Sequence, residues 1–347
     1  MDYLNAKKDM MKISNYAGDR LDYVQGGGGN TSVKFDENFM AIKASGYTLK
    51  EVQEDKGYVL VDYQNIKNRY EDMTTKSNVD VEKESLAVNL DSVKLLEGME
   101  KRRPSVEVGF HSFLPRCVVH THSVYSNILC CSEEGEEKAE EIFKDSDLGY
   151  IFIPYINPGF ALAFRIKEGV EKHEKQNGKQ PDIIFMKNHG MITFSDDADT
   201  AVEIHEKANN LIGEFFKTPD FPVPEIERSE DGFVSRTDYI RDFIMNHHAS
   251  EEYFDEKILY PDQLVYLGEN LGKGILIDEK NGEIKYRIEG KQAQTVEETI
   301  LGVAYIIDEI ENAGLTLSTL CEEGVDFIRN WESEKYRASI VSKQTNK

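Results

Sequence analysis

No stretch of this sequence approaches the ~18 consecutive apolar residues that a membrane-spanning helix needs. The charged N-terminus "MDYLNAKKDMMKISNYAG" has neither the apolar core nor the small-residue cleavage site of a secretory signal. Cysteine is scarce: Cys117, Cys130, Cys131 and Cys321 include no CxxC spacing, and the adjacent pair is sterically awkward as a disulfide, so reduced thiols are expected. Positive charge is short as well. Against 64 Asp plus Glu stand 41 Lys plus Arg, and the net charge of -23 repels phosphate backbones and anionic membrane surfaces alike. These absences argue against nucleic acid and membranes as partners and lead to the expectation of a soluble, cytoplasmic protein. A small anionic substrate stays compatible with them, because backbone amides or a bound metal make a local positive site.

The chain has enough apolar residues, 39%, to bury a sizeable core, and its 347 residues exceed what one core usually needs. Strand-like runs such as "FMAIKAS", "GYVLVDYQNI", "RCVVHTH", "YIFIPYI" and "DIIFMKNHGMITFS" interleave with helical stretches over 4–21, 81–97, 133–145 and the Pro-led "PGFALAFRIKEGVEKHEKQ". That interleaving predicts an α/β layered domain. The segment "TPDFPVPEIERSED", 218–231, carries three prolines and several charges and reads as a linker or a surface excursion, which divides the chain into 1–217 and 218–347. Beyond it, a helix near 236–247, strands in "LVYLG", "GILID" and "EIKYRIEG", and two further helices predict a small α+β extension.

Eight histidines are present, and two of them stand one residue apart in "VVHTHSVYSN". On a strand, alternate side chains share a face ~6.6 Å apart, so His120 and His122 can converge on one point while Thr121 faces away. The spacing also suits a plain polar strand end, and a metal needs a third protein ligand. His189 in "FMKNHGMITF" sits between two apolar strands beside a glycine, a better position for a site than a helix face. His205 falls in an apolar helical stripe and reads as a hydrogen-bonded core residue, while His173, His247 and His248 read as structural or solvated. In "RRPSVEVGFH", Pro104 and Ser105 form a helix start with Glu107 in its first turn, where a carboxylate answers the helix dipole. His111, one turn on, can orient Glu107 or simply pack. The run "GGGGNTS" follows a helix and precedes a strand, the reverse of a P-loop or dinucleotide fingerprint, and has neither a GK[ST] ending nor GxGxxG spacing. Its amides could face an anion, although a flexible turn is the commoner use.

With "GGGGNTS", "KASG", "PSVE", "HTH" and "NHG" in this order, the chain over about residues 10–215 resembles the class II aldolase/adducin family. "YPDQLVYLG" and "NWESEKYR" are similar to segments that follow the aldolase part in fusions of a rhamnulose-phosphate aldolase with a short-chain dehydrogenase; no Rossmann fingerprint follows here, so the dehydrogenase half is expected to be absent. The resemblance implies a three-layer α/β/α sandwich around a central, largely antiparallel sheet, and a homo-oligomer, commonly a tetramer, with sites near subunit interfaces. It matches His120, His122 and His189 to metal ligands and Glu107 to the acid/base carboxylate. It sets Asn30, Ser45, Gly46 and Ser105 where family members bind substrate phosphate, with Gly28 as a further substrate-binding residue. Family aldolases often carry two small hydroxyl residues before the glutamate; here Val106 follows Ser105, which removes one phosphate donor.

The activity implied is a metal-dependent aldolase acting on a ketose, with a sugar phosphate expected, through an enediolate stabilised by a divalent cation. Zinc suits three imidazoles first, with manganese, cobalt or iron also compatible. Dehydratase, epimerase and decarboxylase chemistry occurs on the same scaffold. A non-catalytic, adducin-like interaction protein is the alternative of another class.

Overall fold

Successive side chains of a strand point to opposite faces, and the central strands of this protein bury both. In the computed structural model, which describes residues 3–75, 80–95 and 102–330, eight strands form one sheet: β1 (Asn30–Lys34), β2 (Phe39–Lys43), β3 (Tyr58–Asp62), β4 (Val93–Lys94), β5 (Cys117–Thr121), β6 (Tyr150–Ile153), β7 (Ile183–Met186) and β8 (Gly190–Ser195). Their order is β4-β3-β2-β1-β5-β8-β7-β6. Only β6 and β7 pair in parallel; the other neighbours are antiparallel.

Strand β5 lies in the middle and is buried along its whole length. Val118 joins Ile42, Val59 and Ile192 in a core covered by helices Tyr63–Thr74, Val108–Phe113 and Phe160–Asn177. One residue out of phase, Cys117 and Val119 join Val33, Ala41 and Leu60 under helices Tyr3–Gly18 and Ala198–Phe216. The domain is therefore a three-layer α/β/α sandwich about a largely antiparallel sheet. Burial on both faces fixes the register of β5, because a one-residue slip would exchange its two sets of side chains.

The extension has a second antiparallel sheet of β9 (Ile226–Ser229), β10 (Gly232–Ser235), β11 (Ile275–Asp278) and β12 (Glu283–Tyr286), ordered β11-β12-β10-β9. Helix Gly290–Asn312 contributes Val296, Ile300, Val303 and Ile307 to a core that also takes in Val124 and Ile128. Those last two belong to helix Val124–Cys130, which begins two residues after His122. The extension thus shares an apolar core with the segment that leaves the histidine pair. Among the described residues no helix is long and apolar enough to cross a membrane.

Three expectations need correction. The run "GYVLVDYQNI" is a strand only to Asp62, whose carboxylate accepts from the Asn65 amide at 2.9 Å and starts helix Tyr63–Thr74. The helix expected over 81–97 runs Val81–Asp91 before β4; residues 96 and 97 lie outside the described residues. "LVYLG" is not a strand: Leu264, Val265 and Tyr266 belong to helix Pro261–Tyr266, where Pro261 at the first position suits a helix start. Such a short apolar run carries no periodicity that separates strand from helix. The "NWESEKYR" segment beyond Asn330 lies outside the described residues.

Candidate metal centre

His120 leaves β5 opposite Asn30 of β1 on one side and Ile192 of β8 on the other, and His122 follows just past the strand end. His189 arrives on the tight turn between β7 and β8. Asn188, at φ 50°, tolerates the left-handed conformation this turn requires. Its side chain donates to the Leu259 and Ser318 carbonyls at 2.9 and 2.8 Å, so the extension holds the turn. Gly190 permits the approach: a Cβ there would fall 2.3 Å from the Thr121 carbonyl oxygen and 3.2 Å from Cα of His122.

The three rings form a near-equilateral triangle, with centroids 4.9, 5.1 and 5.1 Å apart, and all three are buried. Their ligand-capable nitrogens lie within 4.8 Å of one another. Nδ1 of His120 donates to the Met191 carbonyl at 2.9 Å, and Nδ1 of His122 donates to Oδ2 of Asp262 at 2.6 Å. Neutral rings with those tautomers have unprotonated Nε2 atoms, yet the two Nε2 atoms sit 3.1 Å apart. Two lone pairs at that distance repel unless a cation stands between them. Burial pushes the His120 pKa well down, so this ring does not supply a proton of its own.

Glu107 faces the same point. The helix begins only at Val108, past the start expected at Pro104 and Ser105, so Glu107 precedes it rather than lying in its first turn, and its carboxylate makes no capping bond. Instead, Oε2 lies 3.4 Å from Nε2 of His120, and Oε1 lies 3.1 Å from Nε2 of His189. Oε1 is buried and has no hydrogen-bond partner. Burial opposes the charge of Glu107, but its coupling to the facing imidazoles, His120 first and then His189, brings its pKa well below the usual carboxylate range. A divalent cation bound by the three imidazoles would place positive charge opposite Glu107 and meet the Nε2 lone pairs. The donor set fits it: nitrogen ligands reach zinc at ~2.0–2.1 Å.

A buried relay orients the carboxylate. Nδ2 of Asn30 donates to Oε2 of Glu107 at 2.6 Å and to Oγ of Ser105 at 3.0 Å. Oδ1 of Asn30 accepts from Nε2 of His111, whose Nδ1 meets the Ser32 hydroxyl at 2.7 Å. His111 thus acts on Glu107 through Asn30. Burial pushes its pKa down to about 3, so it stays neutral and keeps one donor and one acceptor nitrogen.

Glu107, His122 and His189 line one pocket. Asn30, Ser45, Gly46 and Ser105 line it too. Gly28 does not: it is buried behind the wall, its amide donates to the Gln25 carbonyl at 3.0 Å, and a Cβ there would meet Oδ2 of Asp262 at 2.4 Å. The neighbouring amides are engaged as well, Gly26 with Glu298 at 2.9 Å and Gly27 with the Tyr266 hydroxyl at 3.1 Å. The glycine run is therefore a close-packed junction with the extension, and these three amides are engaged within the protein.

Sequence reading passed over Lys43, Tyr266 and Asp262, all of which line the pocket. Lys43 opens the quoted "KASG", and its Nζ donates to the Gly27 and Gly29 carbonyls at 2.7 and 2.8 Å. The remaining histidines serve elsewhere. His205 is buried against the Thr121 hydroxyl at 2.8 Å, and His247 pairs with Asp308 at 2.9 Å.

Residues 8–213 match the class II aldolase and adducin N-terminal domain. The chain belongs to this family. The protein from Bacillus subtilis (strain 168) called uncharacterized oxidoreductase YuxG is 27% identical over 245 residues, 64% of this chain and 33% of that protein. The match thus spans about a third of that relative's length. Among solved structures, the N-terminal class II aldolase domain of a conserved protein from Thermoplasma acidophilum aligns with 24% identity and a TM-score of 0.48, covering 60% of this chain and 92% of that one. A sugar-phosphate aldolase from Thermotoga maritima aligns with 17% identity and a TM-score of 0.42, covering 61% and 97%. The class II aldolase and adducin match contains β1 to β8, the three histidines and Glu107, and ends before β9.

Proposed function

We propose that this chain is a metal-dependent carbon–carbon lyase that cleaves or forms a bond beside the carbonyl of a ketose, with a phosphorylated ketose as the preferred substrate. The observation that carries the reading is the buried carboxylate of Glu107 facing three converging imidazoles. A divalent cation held by His120, His122 and His189, zinc first, supplies Lewis-acid stabilisation of the charge that an enediolate carries. Glu107 accepts and returns the proton at the reacting carbon; Oε1 is its working oxygen, because Asn30 already occupies Oε2. Ser45, Gly46 and Ser105 lie along the pocket and bind the phosphate or terminal hydroxyl of the substrate. Residues 1–217 carry the chemistry in this reading, and the extension from residue 218 on adds Pro261, Asp262, Tyr266, Lys291 and Thr295 to the wall around it.

Dehydratase, epimerase and decarboxylase reactions draw on the same enolate chemistry. A screen of phosphorylated and free ketoses, in cleavage and condensation directions with zinc and manganese supplied separately, separates them. Release of dihydroxyacetone phosphate together with an aldehyde, or of glycolaldehyde-type fragments, is the expected result. Loss of water, carbon dioxide release or inversion at one carbon without fragments would overturn it.

A further inference from the structure

The metal ligands come from β5 and the β7–β8 turn, yet one short segment of the extension touches both. We infer that Leu259–Gln263 is an integral part of the metal centre, with Asp262 as the residue that positions His122; this rests on the metal-binding reading above. Oδ2 of Asp262 accepts from Nδ1 of His122 at 2.6 Å, and both side chains are buried. A carboxylate there fixes the ring's orientation and keeps the proton on Nδ1, so that Nε2 presents its lone pair to the metal. Three positions earlier in the same segment, the Leu259 carbonyl accepts from Asn188, next to His189, at 2.9 Å.

The segment is itself clamped. Gln263 accepts from the Leu259 amide at 2.9 Å and donates to the Phe254 and Lys257 carbonyls at 2.8 and 2.9 Å. Pro261 starts the short helix, and the Tyr260 ring lies edge-on to His122 with centroids 5.8 Å apart. Gly28 bears on the same contact from the other side, since a Cβ there would reach 2.4 Å from Oδ2 of Asp262 and 3.2 Å from Nδ1 of His122. An absent side chain in the glycine run leaves the path along which the extension's carboxylate reaches the ligand.

The test measures zinc affinity by competition with a chromogenic chelator, and the His122 tautomer by nitrogen NMR of the metal-free protein. Wild type is expected to bind zinc with the His122 proton on Nδ1. Asp262→Ala is expected to bind on the order of 10–100-fold more weakly, with the proton distributed over both ring nitrogens, while its cooperative melting persists. Asp262→Asn, which keeps an acceptor but loses the charge, should fall between the two, and it carries the test if the alanine variant does not fold. Unchanged affinity and tautomer in Asp262→Ala would overturn this inference while leaving the three-histidine reading in place. A wild-type chain that takes up no zinc would remove that reading, and this inference with it.

Discussion

Nε2 of His122 and Nε2 of His120 stand 3.1 Å apart although each ring's Nδ1 has its own acceptor, Asp262 and the Met191 carbonyl. This opposition of two lone pairs gives each residue around it a distinct expected phenotype.

The ligands and the carboxylate should separate on substitution. His120→Ala and His189→Ala are expected to lose both bound metal and turnover. Glu107→Gln should keep the metal and lower kcat by ~10²–10⁴-fold, the scale of a lost general acid/base. Elemental analysis beside steady-state kinetics checks both, and a fully active Glu107→Gln enzyme would take this carboxylate out of the mechanism.

Asn30 should tune Glu107 through the pH profile. Asn30→Asp brings a second carboxylate to the 2.6 Å contact with Oε2, and a like charge disfavours ionisation of Glu107. The acid limb of kcat against pH is expected to move upward relative to the wild type. An unmoved limb with a normal metal content would show that Asn30 does not act on this group.

Stability of the metal-free protein should fall in acid because of two buried neutral histidines. Burial lowers the pKa of His111 and His205 to about 3, while an unfolded histidine titrates near ~6.5. Below that pH the unfolded chain binds protons that the folded one refuses. The contribution is therefore complete above pH ~6.5 and is lost as pH falls toward ~3, by up to ~1.4 kcal/mol per pH unit for each histidine. Urea unfolding of the wild type and of His205→Gln at several pH values measures it; the variant should show the shallower dependence.

Gly190 should prove intolerant. A methyl group 2.3 Å from the Thr121 carbonyl separates the His189 turn from β5, at ~1–3 kcal/mol for the overpacking. Gly190→Ala is expected to melt lower and to lose metal. A variant with unaltered zinc affinity would mean that the turn has room the geometry denies.

Much of the centre was legible in the chain because its information is local. Two histidines on one face of a strand follow from the alternation around Thr121, and that residue does point away, to His205. His189 beside a glycine between apolar runs was legible for the same reason. Asp262 was not, because 140 residues separate it from His122 and no periodicity relates them. Nor does a sequence show that the amides of Gly26, Gly27 and Gly28 are taken by Glu298, Tyr266 and Gln25; that depends on how the extension packs. The strand expected at "LVYLG" failed for a related reason, since a short apolar run takes its form from its neighbours rather than from its own pattern.

The most direct measurement is the metal content of the chain after zinc loading and extensive dialysis, set beside that of His120→Ala. One tightly held ion per wild-type chain and none in the variant is the predicted result. A wild-type chain that retains no ion, or a His120→Ala chain that retains as much, would contradict the proposal that these imidazoles share a cation.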